Sequence, residues 1–89
     1  MKTVYAVWIL GEEDYHHDGH FTPFYNDVQI FKKKRDAQSY MDRDLTESVR
    51  LMNQDGLYPK VQRDKYLDIL TFRTKDIHFT YILLERNLL

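Results

Sequence analysis

Apolar residues occupy both sets of alternating positions over residues 2–10, KTVYAVWIL. One set is Val4, Ala6, Trp8 and Leu10, and the other is Tyr5, Val7 and Ile9. A strand that is buried on both faces has this pattern. Residues 2–10 are therefore predicted to form a central strand of a sheet.

The dipeptide Asp18-Gly19 predicts a hairpin, because a type I′ turn needs a positive φ at both of its central residues. Folding the chain there pairs Ile9 with Val28 and Val7 with Ile30. This register places four apolar residues on one face, as a core requires. We expect a bulge near the middle of the hairpin, since the proline at position 23 cannot donate to the ladder.

The period changes from two to about four between residues 33 and 55, where apolar side chains recur every third or fourth position. The recurring residues are Ala37, Met41, Leu45, Val49 and Met52. This spacing predicts a long amphipathic helix with one buried face. Gly56 is expected to end the helix in the left-handed conformation, with Leu57 making a Schellman-type contact and Pro59 preventing continuation.

Alternation returns in residues 66–73 and 77–86, which are separated by the short turn TKD. The two segments are predicted to form a second hairpin. The expected fold class is α+β: residues 1–89 form one domain in the order β-β-α-β-β. A four-stranded antiparallel sheet carries the helix on one face.

Composition narrows the functional classes without choosing one. The 89 residues include seven Tyr, five Phe, one Trp and no Cys, and the net charge is −1. Disulfides and thiolate–zinc sites are excluded, and a near-neutral chain gives no general case for nucleic-acid binding. No segment has the apolar length of a membrane span, and we expect a cytoplasmic protein.

Three of the four histidines lie in the segment EEDYHHDGH, residues 12–20. A turn at Asp18-Gly19 would make His17 and His20 a cross-strand pair, close enough to share a metal ion. The alternative is an exposed polar hairpin tip, which we favour because a third and fourth ligand are not apparent. Metal binding at His17 and His20 remains a secondary hypothesis, and no cofactor is predicted.

Four cations, Lys32, Lys33, Lys34 and Arg35, fall where the helix begins. Free N–H groups and the helix dipole favour negative charge at this position. Three explanations stay open: a solvated basic run, the chain's own acidic loop folded against it, and an external anion. The anion could be an acidic protein or a nucleic-acid backbone.

The segment FTPFY, residues 21–25, places three aromatic rings around a proline beyond the histidines. Exposed aromatic side chains often mark contact sites, although these rings could instead cap the end of the core. The residues expected to contact a partner are Tyr15, His17, His20, Phe21, Phe24 and Tyr25. No catalytic template is recognisable, because the chain lacks a Cys nucleophile, a Gly-rich phosphate loop and the G-x-S-x-G and H-E-x-x-H motifs.

The segments KTVYAVW and VQIFKKKRDAQSYM resemble a pattern in small uncharacterised single-domain proteins of phages and bacteria. Tyr5, Phe31, Ala37 and Tyr40 carry the resemblance, which covers about half of the chain. It implies a fold of this order and an origin in a phage or mobile element. Proteins of that kind and size often work by binding a host protein.

The sequence therefore predicts a non-enzymatic binding module that acts by protein–protein contact, with a host protein or a second copy of itself as partner. A homodimer would form through an edge strand or the aromatic segment. The first alternative is a nucleic-acid- or anion-binding protein that uses Lys32 to Arg35, and the second is the metal-binding protein. No membrane partner is expected.

Overall fold

Five antiparallel strands and a helix make up residues 2–88, the part of the chain that the computed structural model describes. The elements are β1 (Lys2–Glu13), β2 (Thr22–Phe31), α1 (Lys34–Gln54), β3 (Lys60–Arg63), β4 (Ile69–Arg73) and β5 (Ile77–Leu88). The strands form one sheet in the order β2-β1-β5-β4-β3. The α+β class is confirmed. β1 is an inner strand with a partner on each side, but it is buried on one face and not on both.

The prediction of four strands is wrong, because residues 60–63 form a fifth strand, β3, at the edge of the sheet. β3 pairs with β4, and Val61 lies opposite Phe72. Its sequence, KVQR, contains one apolar residue and follows Pro59, so it carries no alternating pattern. β4 also begins at Ile69, since residues 66–68 belong to the loop before it.

The predicted register of the first hairpin is wrong by one residue. Ile9 pairs with Asp27 rather than with Val28. Because neighbouring side chains point to opposite faces of a strand, this change moves Val28 and Ile30 away from the core. Their side chains are 54% and 60% exposed.

A bulge in β2 interrupts the ladder beside the proline, as predicted. Gly11 pairs with Tyr25 and Glu12 pairs with Pro23, so Phe24 is the additional residue. At Gly11 a Cβ atom would lie 2.8 Å from the ring of Phe79 on β5. The glycine thus leaves room for an aromatic side chain to lie across β1.

The β1–β2 loop does not form the predicted two-residue turn. It is a longer loop that is organised around the side chain of Asp14. The Asp14 carboxylate is buried and accepts hydrogen bonds from the backbone N–H groups of Asp18, at 3.1 Å, and Gly19, at 2.7 Å. His17 adopts a left-handed conformation with φ of 55°. Asp18-Gly19 therefore lies inside a longer loop, which is why the predicted pairing of the strands shifted.

The β3–β4 loop repeats this construction. Oδ1 of Asp64 accepts a hydrogen bond of 2.8 Å from the N–H of Asp68, and Leu67 has φ of 59°. The loops share the spacing D-x-x-x-D, in DYHHD and DKYLD, with the fourth residue left-handed. An aspartate that binds the backbone ahead of it stabilises such a turn.

The helix α1 lies against one face of the sheet and ends as predicted. Ala37, Met41 and Leu45 are buried in the core, and the other two predicted positions are partly buried against it. Gly56 has φ of 78° and its N–H donates to the Asn53 carbonyl. The N–H of the following leucine donates to the Met52 carbonyl, which completes a Schellman motif.

The core lies between α1 and the helix-facing side of the sheet. Its strand residues are Val7, Ile9, Leu70, Phe72, Tyr81 and Leu83. Tyr81 is 1% exposed, and its hydroxyl donates a hydrogen bond of 2.7 Å to Oδ2 of Asp44 on α1. Burial and the Asp44 carboxylate both raise the pKa of Tyr81, so it remains a donor at physiological pH. This bond links the helix to the sheet in addition to the packing of the core.

Replacing Tyr81 with phenylalanine removes that bond but keeps the ring. We expect Y81F to lower the free energy of unfolding by about 1–2 kcal/mol, the usual cost of losing a partly buried hydrogen bond. Urea denaturation measures the change. The control is Y58F, since Tyr58 is 75% exposed. Equal stability of Y81F and Y58F would contradict a stabilising role for the bond.

Replacing Leu67 with asparagine is expected to stabilise the protein by about 0.5–1 kcal/mol, because asparagine tolerates the left-handed region that costs leucine about 1–2 kcal/mol. Leu67 is substantially exposed, so little buried area is lost. Leu57 is similarly exposed but does not have a positive φ, and L57N is expected not to stabilise. Thermal unfolding of both variants makes the comparison. A lower melting temperature for L67N would contradict the strain at this position.

Candidate protein-binding surface

The side of the sheet opposite α1 carries a row of apolar residues. We call this side the open face, because no other element of residues 2–88 packs across it. Its apolar residues are Val4, Ala6, Trp8, Leu10, Val28, Ile30, Ile69, Ile82 and Leu84. Monomeric soluble proteins rarely leave an apolar area of this kind without a contact function.

The apolar residues of the open face are in register across four strands. Trp8 pairs with Val28 on one side and with Ile82 on the other, and Ile82 pairs with Ile69. Directly paired residues point to the same face, so these side chains form one continuous band. Ile69 is 47% exposed although it lies within a paired strand.

The indole of Trp8 has its hydrogen bond within the open face. Nε1 of Trp8 donates to Oδ1 of Asn26 at 2.5 Å. A partner that covers the indole would therefore not leave its N–H buried without an acceptor, which is the usual cost of burying a tryptophan. A partner can therefore exclude water from the centre of the open face at little cost in free energy.

Cations lie at both ends of the apolar band. By strand alternation and pairing, the open face includes Lys2, Lys60, Arg73 and Arg86. Lys32 lies with Lys2 and Val4 around a shallow depression at one end. Glu12 is the carboxylate that shares this face with them.

These five cations differ from two cations on the helix side of the sheet, Arg63 and Lys34. Within residues 2–88, none of the five lies within 4.0 Å of a carboxylate oxygen. By contrast Arg63, on the helix-facing side of β3, binds Asp42 on α1 at 3.1 Å, and Lys34 of α1 lies 3.7 Å from Asp68. The open face therefore has a positive charge that the other side chains of residues 2–88 do not neutralise locally.

Phe21 extends the open face at its other end. Its ring stacks on the imidazole of His78, with centroids 3.9 Å apart and an angle of 17° between the planes. His78 pairs with Glu12 and shares its face. Of the six predicted contact residues, Phe21 is the one that stacks on a side chain of the open face.

Phe24 and Tyr25 lie on the helix side instead. Because of the bulge, both rings contact Phe79, at centroid distances of 5.6 and 6.0 Å, and both remain half-exposed. They cap the core and are also accessible. Partial burial and the Asp27 and Asp44 carboxylates raise the pKa of Tyr25, so its hydroxyl stays protonated.

A small apolar pocket lies beside Phe24 on the helix side. Its volume is about 320 Å³. The lining residues include Leu51, Met52, Leu57 and Phe79. It opens on the opposite side of the sheet from the band around Trp8, so one flat partner surface cannot cover both.

The histidines do not form the predicted cross-strand pair. Nδ1 of His17 lies 3.0 Å from Oδ1 of Asp76 in the β4–β5 turn, whereas Nδ1 of His20 lies 3.2 Å from Oδ1 of Asp18. Tyr15 is exposed in the same loop. Among residues 2–88, no three His, Cys, Asp or Glu side chains are grouped closely enough to hold a metal ion.

The basic run at the start of α1 has several environments. Lys33 precedes the first helical turn without a side-chain cap, and Asp36 supplies acid to that turn. Lys34 reaches Asp68, so an acidic loop of the chain does fold against the run, although it is the β3–β4 loop rather than the histidine loop. Arg35 lies 3.9 Å from Asp36 and is largely exposed.

Sequence reasoning missed the open face because it assigned Val28 and Ile30 to the core. The repeated D-x-x-x-D spacing was a signal that could have corrected the loop and thereby the register. Comparisons with models of protein families, with curated proteins and with solved structures find no match for this chain. Within residues 2–88, no helix combines the length and apolarity of a membrane span.

The Asp14 carboxylate makes the β1–β2 loop sensitive to acid. Desolvation alone would raise the pKa of Asp14, but the N–H groups of Gly19 and Asp18 outweigh it and hold the pKa below its ordinary value. A group with a depressed pKa stabilises the fold above its unfolded pKa of about 3.9, and the contribution disappears as the pH falls through its folded pKa.

We therefore expect D14N to unfold more readily than the wild type at pH 6, with a difference that shrinks below about pH 4. Urea denaturation between pH 6 and pH 2.5 measures both. D18N is the control, because the Asp18 carboxylate lies in the same loop and is more exposed. A difference between D14N and wild type that is independent of pH would contradict this role of the carboxylate.

Proposed function

We propose that this protein is a non-enzymatic binding module that acts by protein–protein contact through the open face. The observation that carries the proposal is the continuous apolar band across four strands, with Val28 and Ile30 more than half exposed. Burying apolar area contributes about 25 cal/mol per Å², so covering the exposed side chains of this band, Val28, Ile30 and Ile69, favours binding.

The distribution of polar groups also supports contact with a protein. The open face is apolar at its centre and charged at its ends, and protein interfaces have the same arrangement of an apolar core and a polar rim. Trp8, of a residue type enriched among the residues that dominate binding energy, lies within the band with its N–H already bonded. The resemblance to phage and bacterial proteins suggests that the partner is a host protein.

Phe21 is the residue that the sequence-based contact prediction and this surface have in common. Phe21 lies at the end of the open face, on His78. Phe24 and Tyr25 face the other side of the sheet, so they would serve a separate contact. Variants on the two sides can therefore identify the side that the partner uses.

The test is retention of a partner from an extract of the native host by the immobilised protein. We expect the double variant V28T/I30T to lose at least tenfold in partner retention, because it makes the band polar. Threonine keeps the β-branched shape, so the strand is preserved. Circular dichroism and urea denaturation confirm the fold of each variant.

Two controls locate the contact. Y58N removes an exposed ring between α1 and β3, at a position with φ of 38° that asparagine tolerates, and is expected to retain the partner as wild type does. F24A/Y25A removes the helix-side rings. If F24A/Y25A loses the partner while V28T/I30T retains it, the open face is not the binding surface and the proposal is wrong.

A further inference from the structure

The charge of the open face indicates what kind of protein surface covers it. We infer that the partner presents an amphipathic helix with an apolar stripe and flanking carboxylates. This inference rests on the proposed function and adds the chemistry of the partner to it.

The shape of the band suits one helix. From Val4 to Leu10 the band extends about 20 Å along β1, at roughly 3.3 Å per residue. A helix of about 13 residues has this length, and its diameter of about 10 Å spans two to three strands. The residues that would meet it are concentrated on β2, β1 and β5.

The layer arrangement also favours a helix. A sheet with apolar residues on both faces is completed when each face is covered, and α1 already covers one. The open face lacks the second layer within residues 2–88. A partner helix lying on Trp8 and Ile30 would complete a helix–sheet–helix arrangement.

The charges select an acidic helix. Within residues 2–88, five cations lie on this face against one carboxylate, and none of the five has an ion pair. Lys32 and Arg86 are at one end of the band, and Arg73 lies at the other. Carboxylates on a partner helix would meet these cations, whereas lysines there would be repelled.

Two other occupants fit the face less well. A second copy would bring the five cations of one open face, which have no ion pair within residues 2–88, against five more. A single-stranded nucleic acid would bind by stacking its bases on successive rings, but the band has one aromatic residue, Trp8, among aliphatic ones. Both occupants are outcomes of the experiment below.

The experiment uses two synthetic peptides of about 18 residues with the same leucine stripe. One carries glutamates along the flanks of the stripe and the other carries lysines. Trp8 is the single tryptophan of the chain, so its fluorescence reports directly on the open face. We expect the glutamate peptide to bind at least about tenfold more tightly at low salt, as a few rim ion pairs would give.

Charge-reversed variants make the comparison specific. K32E/R86E is expected to lose the preference for the glutamate peptide or to reverse it. R35E/R43E changes the net charge equally on α1, on the far side of the sheet, and is expected to keep the preference. Raising the salt to about 500 mM should reduce the preference in the wild type, because it screens the rim pairs.

Several results would overturn the inference. They are equal binding of the two peptides, no binding of either, tighter binding of a 20-nucleotide oligothymidine, and a dimer in sedimentation that V28T/I30T dissociates. Equal peptide binding would leave the proposed function intact, because the face would still dock apolar surfaces. The proposed function fails separately, if partner retention from the host extract does not depend on Val28 and Ile30.

Discussion

The pairing of Ile9 with Asp27 determines which side chains this protein buries and which it shows. Side chains alternate between the two faces of a strand, so the register determines which face every side chain of that strand occupies. In this register Val7 and Ile9 meet the helix, and Val28 and Ile30 face away from it. The core, the open face and the proposed function all depend on this one constraint.

Local features hold the register. The Asp14 carboxylate closes the loop by accepting the N–H groups of Asp18 and Gly19, and the bulge at Phe24 shifts the start of β2. Gly11 allows the Phe79 ring to lie across β1, where a side chain would collide with it. The hydrogen bond from Tyr81 to Asp44 links the helix to the buried face in addition to the packing of the core.

Strong periodic signals made much of the fold predictable from the sequence. The helix was placed within one residue at each end, because its apolar spacing and the Gly56 stop agree. β3 was not predicted, because a segment of four residues with one apolar side chain shows no hydrophobic period. The first register failed because Asp18-Gly19 lies inside a longer loop and does not form the turn. The supporting argument, that four apolar residues on one face are all buried, was also wrong.

The candidate site was less predictable than the fold, for a related reason. An apolar residue in a strand gives the same sequence pattern whether its side chain faces a core or a partner. The open face therefore had no sequence signature of its own. The aromatic segment was predicted to make contacts because of its composition, yet among its rings it is Phe21 that stacks on a side chain of the open face. The charges were equally ambiguous, because only the fold shows that Lys34 lies beside Asp68 while Lys32 has no ion pair within residues 2–88.

The most direct test of the account is the accessibility of the methyl groups of Val28 and Ile30 to a soluble nitroxide, measured by nuclear magnetic resonance. In the free protein these methyl signals should broaden strongly, whereas those of Val7 and Ile9 should not. Adding the partner recovered from the host extract should protect Val28 and Ile30. Protection of these two residues in the free protein, or continued broadening when the partner is bound, would contradict the account.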